Sequence, residues 1–164
     1  MAKIQSIYIS AEATKPMILQ ERVKLTRSKG IDGDRYGKQM GSFSNSNPSK
    51  VRDITLIASK AIAQANDLLT AQNLPCYTEA ETRRNVVIDD ITPKDLNALV
   101  GIIFYLGTIR LRGTELCEPC NHPAKLAHKQ SFRTAFMGLG GIRAEILESG
   151  EIKIKDNLKN NLIE

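Results

Sequence analysis

Alternation between apolar and polar residues is short-ranged along much of the chain, which predicts β-strands rather than long helices. Residues 3–9 place Ile4, Ile7 and Ile9 among polar neighbours, and residues 17–25 alternate less regularly after a turn at Lys15–Pro16. Further strands are predicted at residues 53–57, at residues 83–88, on both sides of Gly107 within residues 102–116, and as a hairpin in residues 144–154 turning at Ser149–Gly150.

Helical periodicity is clearest in residues 58–72, where apolar side chains recur every three to four positions from Ile62 to Leu69. Ser59 is the predicted cap of this helix. A second, short helix is predicted to begin at Thr92–Pro93, because threonine is a good cap and proline suits the first helical position.

Many short strands with one good helix favour a mainly β fold over a doubly wound α/β fold. We therefore expect a closed or nearly closed β-barrel with a few peripheral helices, formed as a single domain by residues 1–164. Residues 28–50 are rich in glycine, serine and asparagine, and are predicted to be loops and turns of this domain.

Composition supports one globular domain and narrows its partners. The 164 residues are 41% apolar and 25% charged, and 23 basic against 18 acidic residues give a net charge of +5. This mild basic excess suits an anionic ligand. Aromatic residues make up only 5% and tryptophan is absent, so stacking platforms for nucleic acid are poorly supplied and no nucleic-acid partner is expected.

The sequence shows neither a membrane-spanning segment nor a secretory signal. The most apolar stretch, residues 99–106, is far shorter than the roughly 20 residues that cross a bilayer, so no membrane partner is expected. The N-terminal residues lack the pattern of a secretory signal, and the cysteine count is odd, so a cytoplasmic location is expected. The sequence leaves the oligomeric state open.

The segment from Arg112 to Leu126 carries the most chemistry, because Cys117, Cys120 and His122 lie within six positions. Three uses of these groups compete with the possibility that both thiols are inert. A zinc site in a non-catalytic binding domain is short of a fourth ligand. A dithiol redox module resembles the thioredoxin-type tetrapeptide, but follows strands rather than an early βα crossover. A single working thiolate that ligates a soft metal or carries sulfur is the third use.

Taken in order, the motifs of the chain resemble those of the MOSC domain, named for the C-terminal domain of molybdenum cofactor sulfurases. The matching stretches are Gly30–Tyr36, Arg52–Ile57, Thr82–Ile88, Leu96–Gly107, Leu111–Cys120, Gly140–Ala144 and Ser149–Gly150. Their order and spacing are more specific than any one of them, and the strand-rich barrel that the family implies agrees with the fold expected from the pattern.

The resemblance implies a domain that binds the molybdenum cofactor (molybdopterin) or carries sulfur to or from it. Cys120 matches the family's cysteine, as molybdenum ligand or persulfide carrier, with Cys117 as an alternative and His122 as an acid or base. The chain would then act as a sulfur transferase or as a component of an oxidoreductase. No pyridoxal phosphate is expected, because the aminotransferase-like domain of the full sulfurases is missing, so a sulfur-donor or electron-transfer protein is the implied partner.

Arginine forks suit the phosphate of such an anionic pterin cofactor. Arg83 and Arg84 precede Asn85, and alternation along a strand would let at most one of the two arginines face a pocket. The family pattern favours Arg83 and Asn85 on a shared face. The other expected cofactor contacts are Arg35, Arg52 and Asp34, although Asp34 could equally cap a turn.

Overall fold

The computed structural model describes residues 1–40 and 51–160. Eleven strands lie within these ranges: β1 Lys3–Ile9, β2 Ile18–Gln20, β3 Arg22–Thr26, β4 Gly30–Ile31, β5 Ile54–Ala58, β6 Val86–Asp89, β7 Ile103–Leu106, β8 Ile109–Leu116, β9 Ile142–Ile146, β10 Gly150–Lys153 and β11 Leu158–Lys159. The helices there are α1 Ser59–Ala71, α2 Pro93–Asn97, α3 His122–Ala127 and α4 Phe132–Ala135, and Ala80–Thr82 forms a 3-10 turn. Of the predicted glycine-rich loop, residues 41–50 lie outside the described residues.

The strands form a curled eight-stranded sheet and a smaller sheet. The order in the large sheet is β11-β7-β8-β9-β5-β6-β1-β2, and every pair is antiparallel except β5 with β6. In the small sheet β3 lies between β10 and β4. The mainly β class with few helices is therefore confirmed.

We expected a closed or nearly closed barrel; the large sheet is a curled half-barrel that is not fully closed. β2 has three residues and pairs only with the second half of β1, from Ile7 to Ile9. The first half of β1 instead exchanges backbone hydrogen bonds with the turn before β11: the Ile4 N–H donates to Asp156 O at 2.8 Å, and the Leu158 N–H donates to Ala2 O at 2.9 Å. The two ends of the sheet thus meet over a few residues without continuous pairing.

One apolar core fills the curl of the sheet. Helix α1 covers it with its buried face, and Ala61, Ala65 and Leu69 are at most 1% exposed. An aromatic cluster fastens α4, since the rings of Phe132 and Phe136 stack at 4.3 Å and the Tyr77 ring meets Phe132 edge-on at 5.0 Å. None of the helices in the described ranges has the length and apolarity that crossing a membrane requires.

Local signals predicted both α1 and α2, and the cap of α1 is the exception. Thr92 caps α2 by accepting a hydrogen bond from the Asp95 N–H, and Pro93 is its first residue. Ser59, however, is the first residue of α1 and not its cap: Ala58 occupies that position, and the Ser59 hydroxyl lies 3.1 Å from an Asp89 carboxylate oxygen. Ala58 is fully buried and is the last residue of β5, so the helix follows the strand with no residue between them.

The predicted hairpin at Ser149–Gly150 is wrong. β9 pairs with β5 and β8 in the large sheet, whereas β10 pairs with β3 in the small sheet. The Ser149 hydroxyl accepts a hydrogen bond from the Arg27 N–H at 2.9 Å, which directs the turn toward β3. The two strands predicted around Gly107 are confirmed, and they form a hairpin, because β7 and β8 pair from Leu106 and Ile109 outward.

Candidate functional site

A small cavity, here called the arginine–thiol cavity, lies where the end of β8, the start of α3 and the segment before β6 meet. Its volume is about 90 Å³. Five arginines, both cysteines of the Cys-Glu-Pro-Cys motif and one histidine line it, together with four other residues; the full set is Arg35, Tyr36, Arg52, Thr55, Arg83, Arg84, Cys117, Glu118, Cys120, His122, Pro123 and Arg143. The fold thus brings the thiols together with the arginines from distant parts of the sequence.

The two thiols of the motif differ in access. Cys117 directly follows β8, is only 3% exposed and donates its backbone N–H to Gly141 O at 2.8 Å. Cys120 is exposed on the loop that leads into α3. Cys76 is also exposed but does not line the cavity, since it lies beyond α1 with its sulfur 3.4 Å from the Thr70 hydroxyl. Cys120 is therefore the thiol of the cavity that a protein or cofactor reaches from solvent.

The glycine turn before β9 supports the buried thiol. Gly140 lies so close to Cys117 that a Cβ atom at position 140 would be 2.0 Å from the Cys117 carbonyl oxygen. Gly138 and Gly141 have φ angles of +72° and +81°, a left-handed conformation that glycine adopts without strain. The structure thus shows a close approach of two backbone segments that composition does not reveal.

Arg83 lies in the wall of the cavity and not in a strand. It follows the 3-10 turn with φ of +65° and is 7% exposed. One terminal nitrogen donates to Ala13 O at 2.8 Å and the other donates to Lys15 O, so the fork holds the loop after β1. Its Nε is buried and has no hydrogen-bond partner among the described residues.

Burial, together with repulsion from Arg35, lowers the pKa of Arg83 to about 10. An anion placed beside these two guanidinium groups would relieve both effects, because it stabilises the charged form. The arrangement therefore favours an anionic ligand.

Arg84 also lines the cavity, so the expectation that only one of the two neighbouring arginines reaches it does not hold. Its Nε donates to Gly140 O at 2.7 Å and its Nη1 donates to Thr82 O at 3.3 Å. Strand alternation applies only from Val86 onward, where β6 begins. The left-handed conformation of Arg83 turns the chain before that point and lets both side chains approach the same space.

Asn85 is not part of the cavity lining. Its carbonyl oxygen accepts from the Thr55 N–H at 3.1 Å and from the Thr55 hydroxyl at 3.0 Å, and its amide nitrogen donates to Tyr8 O at 3.1 Å. The side chain is 2% exposed and joins β1, β5 and β6. The Asn85 amide therefore bonds to groups of the protein itself.

Asp34 and Arg35 form a buried pair at 3.1 Å, of which only Arg35 lines the cavity. Asp34 also accepts from the Ser10 N–H at 3.0 Å and the Tyr36 N–H at 3.3 Å, the arrangement of a turn cap. Arg35 lies over the Tyr36 ring at 5.0 Å and donates to Arg83 O at 3.4 Å. Asp34 thus positions an arginine instead of facing the cavity itself.

His122, Arg143 and Arg52 also line the arginine–thiol cavity. The Nε2 atom of His122 is 3.3 Å from Ala13 O, so the imidazole faces the loop that Arg83 also holds. Arg143, in β9, forms an ion pair with Glu115 at 2.8 Å. Sequence reasoning gave Arg143 no role, although a charged residue between the buried Ile142 and Ala144 points to the opposite face of the strand.

Metal ligation by protein groups alone is poorly supported. Across residues 1–40 and 51–160, no group of three or more histidine, cysteine, aspartate or glutamate side chains is placed to hold a metal ion. A zinc site on Cys117 and Cys120 therefore has no complete ligand set there.

A second cavity, of about 310 Å³, adjoins the first and shares Arg83 and Pro123 with it. It is formed by the loop after β1, the 3-10 turn and α3, and its walls are mostly apolar, with Lys15 and Glu81 among the polar exceptions. Lys129 forms an ion pair with Glu81 at 2.7 Å. The shared arginine links the two spaces into one region.

A family model for the MOSC domain matches residues 44–159. The chain belongs to the MOSC domain family. This family is associated with molybdenum cofactor sulfurase-like function. The stretch Gly30–Tyr36 precedes the matched region, while the other stretches that carried the resemblance fall inside it. Among curated proteins, no sequence matches this MOSC domain significantly.

Solved structures share the fold at low sequence identity. The YuaD protein from Bacillus subtilis superposes with a TM-score of 0.75 at 17% identity, over 96% of this chain and 93% of that one. YiiM from Geobacillus stearothermophilus gives 0.66 at 15%, over 96% and 74%, and YiiM from Escherichia coli gives 0.65 at 14%, over 98% and 71%. These likenesses support the half-barrel architecture of the MOSC domain.

Proposed function

We propose that this MOSC domain handles the molybdenum cofactor through Cys120, which either ligates the molybdenum or carries sulfur as a persulfide. The observation that carries the proposal is the accessible Cys120 thiol in a cavity lined by five arginines. A thiol is a suitable soft ligand and sulfur carrier, and arginine forks suit a phosphate.

The residues present fit the chemistry of the group. When bound, the cofactor supplies a metal that accepts a further thiolate, and an anionic phosphate. Arg84, Arg35 and the unpartnered Nε of Arg83 are cationic donors for an anion. The arginine–thiol cavity is smaller than the roughly 300–1,000 Å³ of typical ligand pockets. The adjoining 310 Å³ cavity supplies the additional volume for a heterocycle.

The remaining residues have supporting roles in this proposal. In this proposal His122, a half-buried residue of the same lining, serves as the acid or base for Cys120. Asn85 and Asp34 shape the walls through the hydrogen bonds described above. The sulfur donor or the electron source is a separate protein, which reaches the exposed Cys120 and not the buried Cys117.

The proposal is tested by isolating the protein from a host that makes the cofactor and measuring molybdenum by mass spectrometry, pterin by fluorescence after oxidation, and persulfide at each cysteine. We expect bound molybdenum and pterin, or a persulfide on Cys120, in the wild type and in Cys76→Ser, and a loss of at least tenfold in Cys120→Ser. Neither cofactor nor persulfide in the wild type, with Cys120→Ser indistinguishable from it, would overturn the proposal.

A further inference from the structure

The proposed function assigns no role to Cys117, although this residue lines the same cavity as Cys120. The two residues are free thiols, one buried and one exposed. Both cysteines line the arginine–thiol cavity, whose volume is about 90 Å³. A second thiol in this position needs an explanation that a single sulfur carrier does not provide.

The chain between the two cysteines is held only at its ends. The Cys117 N–H donates to Gly141 O at 2.8 Å, and the Lys125 N–H donates to Asn121 O at 3.0 Å. Within the described ranges, neither the Glu118 N–H nor the Cys120 N–H donates to a backbone carbonyl, and Pro119 has no N–H to donate. A segment with so few backbone hydrogen bonds adjusts at low cost, while the buried end remains fixed.

The spacing allows the thiols to meet. Three residues span at most about 10–11 Å when fully extended, and a disulfide needs Cα atoms about 4.4–6.8 Å apart. The segment must only turn toward the cavity that both residues already line. Cys120, on the exposed side, is the residue that moves.

We infer that Cys117 is a resolving thiol that releases sulfur from Cys120 as hydrosulfide; this rests on the sulfur-carrying form of the proposed function. The Cys117 thiolate attacks the inner sulfur of the Cys120 persulfide. A Cys117–Cys120 bond forms and the bond between the two persulfide sulfurs breaks. The outer sulfur leaves as HS⁻ with the electron pair of that bond, so the sulfane sulfur gains two electrons and the two cysteines lose two.

The disulfide is returned to two thiols by an external dithiol reductant, which supplies two electrons and two protons. The domain is then ready to accept sulfur again from a persulfide donor. Each cycle consumes one persulfide and one dithiol and produces one hydrosulfide.

The surroundings of the two cysteines suit Cys120 as the sulfur carrier and Cys117 as the resolving thiol. Burial of Cys117 prevents a sulfur donor from loading it directly, so its reaction is restricted to the neighbouring persulfide. Arg84 and Arg143 line the cavity in which the hydrosulfide anion forms, and a positive potential stabilises a departing anion.

The experiment loads the reduced protein with glutathione persulfide without oxygen, removes excess reagent by desalting, and follows hydrosulfide release together with the Cys117–Cys120 disulfide by peptide mass spectrometry. We expect one hydrosulfide per disulfide in the wild type and in Cys76→Ser, which keeps both cavity thiols. In Cys117→Ser, the persulfide on Cys120 should persist at least ten times longer. A short treatment with dithiothreitol should restore the wild type for a second round.

The outcomes separate this inference from the function on which it rests. A persulfide that forms on Cys120 of the wild type and persists without a disulfide overturns the resolving role and leaves sulfur carrying intact. Absence of any persulfide on Cys120 in Cys117→Ser, with neither hydrosulfide nor disulfide in the wild type, removes the sulfur-carrying function itself. The disulfide measurement on the wild type decides the matter even if the Cys117→Ser variant folds poorly.

Discussion

The backbone of Gly140 packs directly against that of Cys117, with no room for a Cβ atom at position 140. Arg84 donates to the carbonyl oxygen of the same glycine at 2.7 Å. One residue without a side chain therefore contacts both the backbone of Cys117 and an arginine of the cavity. This contact joins the turn before β9 to the end of β8.

Replacing Gly140 by alanine should displace the cavity wall, because the new Cβ meets backbone and not a flexible side chain. Overpacking of this kind costs about 1–3 kcal/mol and occasionally more. Urea unfolding should show a loss at the upper end of that range, and thiol labelling should show faster modification of Cys117. Gly138→Ala is the matched control, because a Cβ at position 138 meets open space and the only expected loss of stability comes from the positive φ of that residue. Equal losses in both variants would contradict the contact.

Asn85→Ala should weaken the fold and leave the cavity residues in place. It removes the partner of buried groups on Tyr8 and Thr55, and one buried unsatisfied group costs about 1–3 kcal/mol. The free energy of unfolding should fall by at least this amount, while the folded fraction retains its cofactor or persulfide content. A variant with wild-type stability and no cofactor would instead make Asn85 a binding residue.

The elements that depend on neighbouring residues were predictable from the sequence. The periodicity of α1, the Thr92 cap of α2 and the two strands on either side of Gly107 all depend on contacts within a few positions. β10 could not be placed in this way, because pairing with β3 brings together residues more than a hundred positions apart. The same holds for the meeting of β1 with the turn at Asp156, which decides how far the barrel closes.

The residue types of the candidate site were predictable from the sequence, whereas the directions in which their side chains point were less so. Cys117, Cys120 and His122 lie in one motif, and the fold adds Arg83 and Arg84 to their cavity. Which side chains point inward depends on the positive φ of Arg83, a conformation that sequence alternation does not encode. Asn85 was predicted to contact the cofactor because its amide can bind a pterin, but that amide already forms hydrogen bonds with Thr55 and with the backbone of Tyr8.

Asp53→Asn should alter the pH dependence of stability. Burial raises the pKa of Asp53, a nearby Glu145 adds to this, and the hydrogen bond from the Ile146 N–H at 2.9 Å opposes it. A carboxyl whose pKa is raised in the fold contributes stability below its unfolded pKa, of about 3.9, and this contribution is lost as pH rises through the folded value.

The variant should therefore be more stable than the wild type at neutral pH, with a difference that shrinks as the pH falls toward 4. Urea unfolding at intervals between these values measures it. Asp67→Asn, which removes an exposed carboxylate of α1, is the control. A difference that does not change with pH would show that the Asp53 charge has no part in it.

Inorganic phosphate should stabilise the folded protein through the arginines of the cavity. A ligand that binds only the folded state adds about 2.7 kcal/mol at a hundredfold excess over its Kd. Arg83 and Arg35 repel each other in a buried place, and the Nε of Arg83 has no partner in the described chain, so an anion gains more there than at an exposed arginine. Thermal unfolding with phosphate, against chloride at the same ionic strength, should show a rise in Tm that Arg84→Gln halves or abolishes. Arg133→Gln, at an exposed position of α4 outside the lining, should keep the full rise, because general screening acts on all surface charges alike. A rise that is equal in all three proteins would assign the effect to the surface and remove the anion site from the cavity.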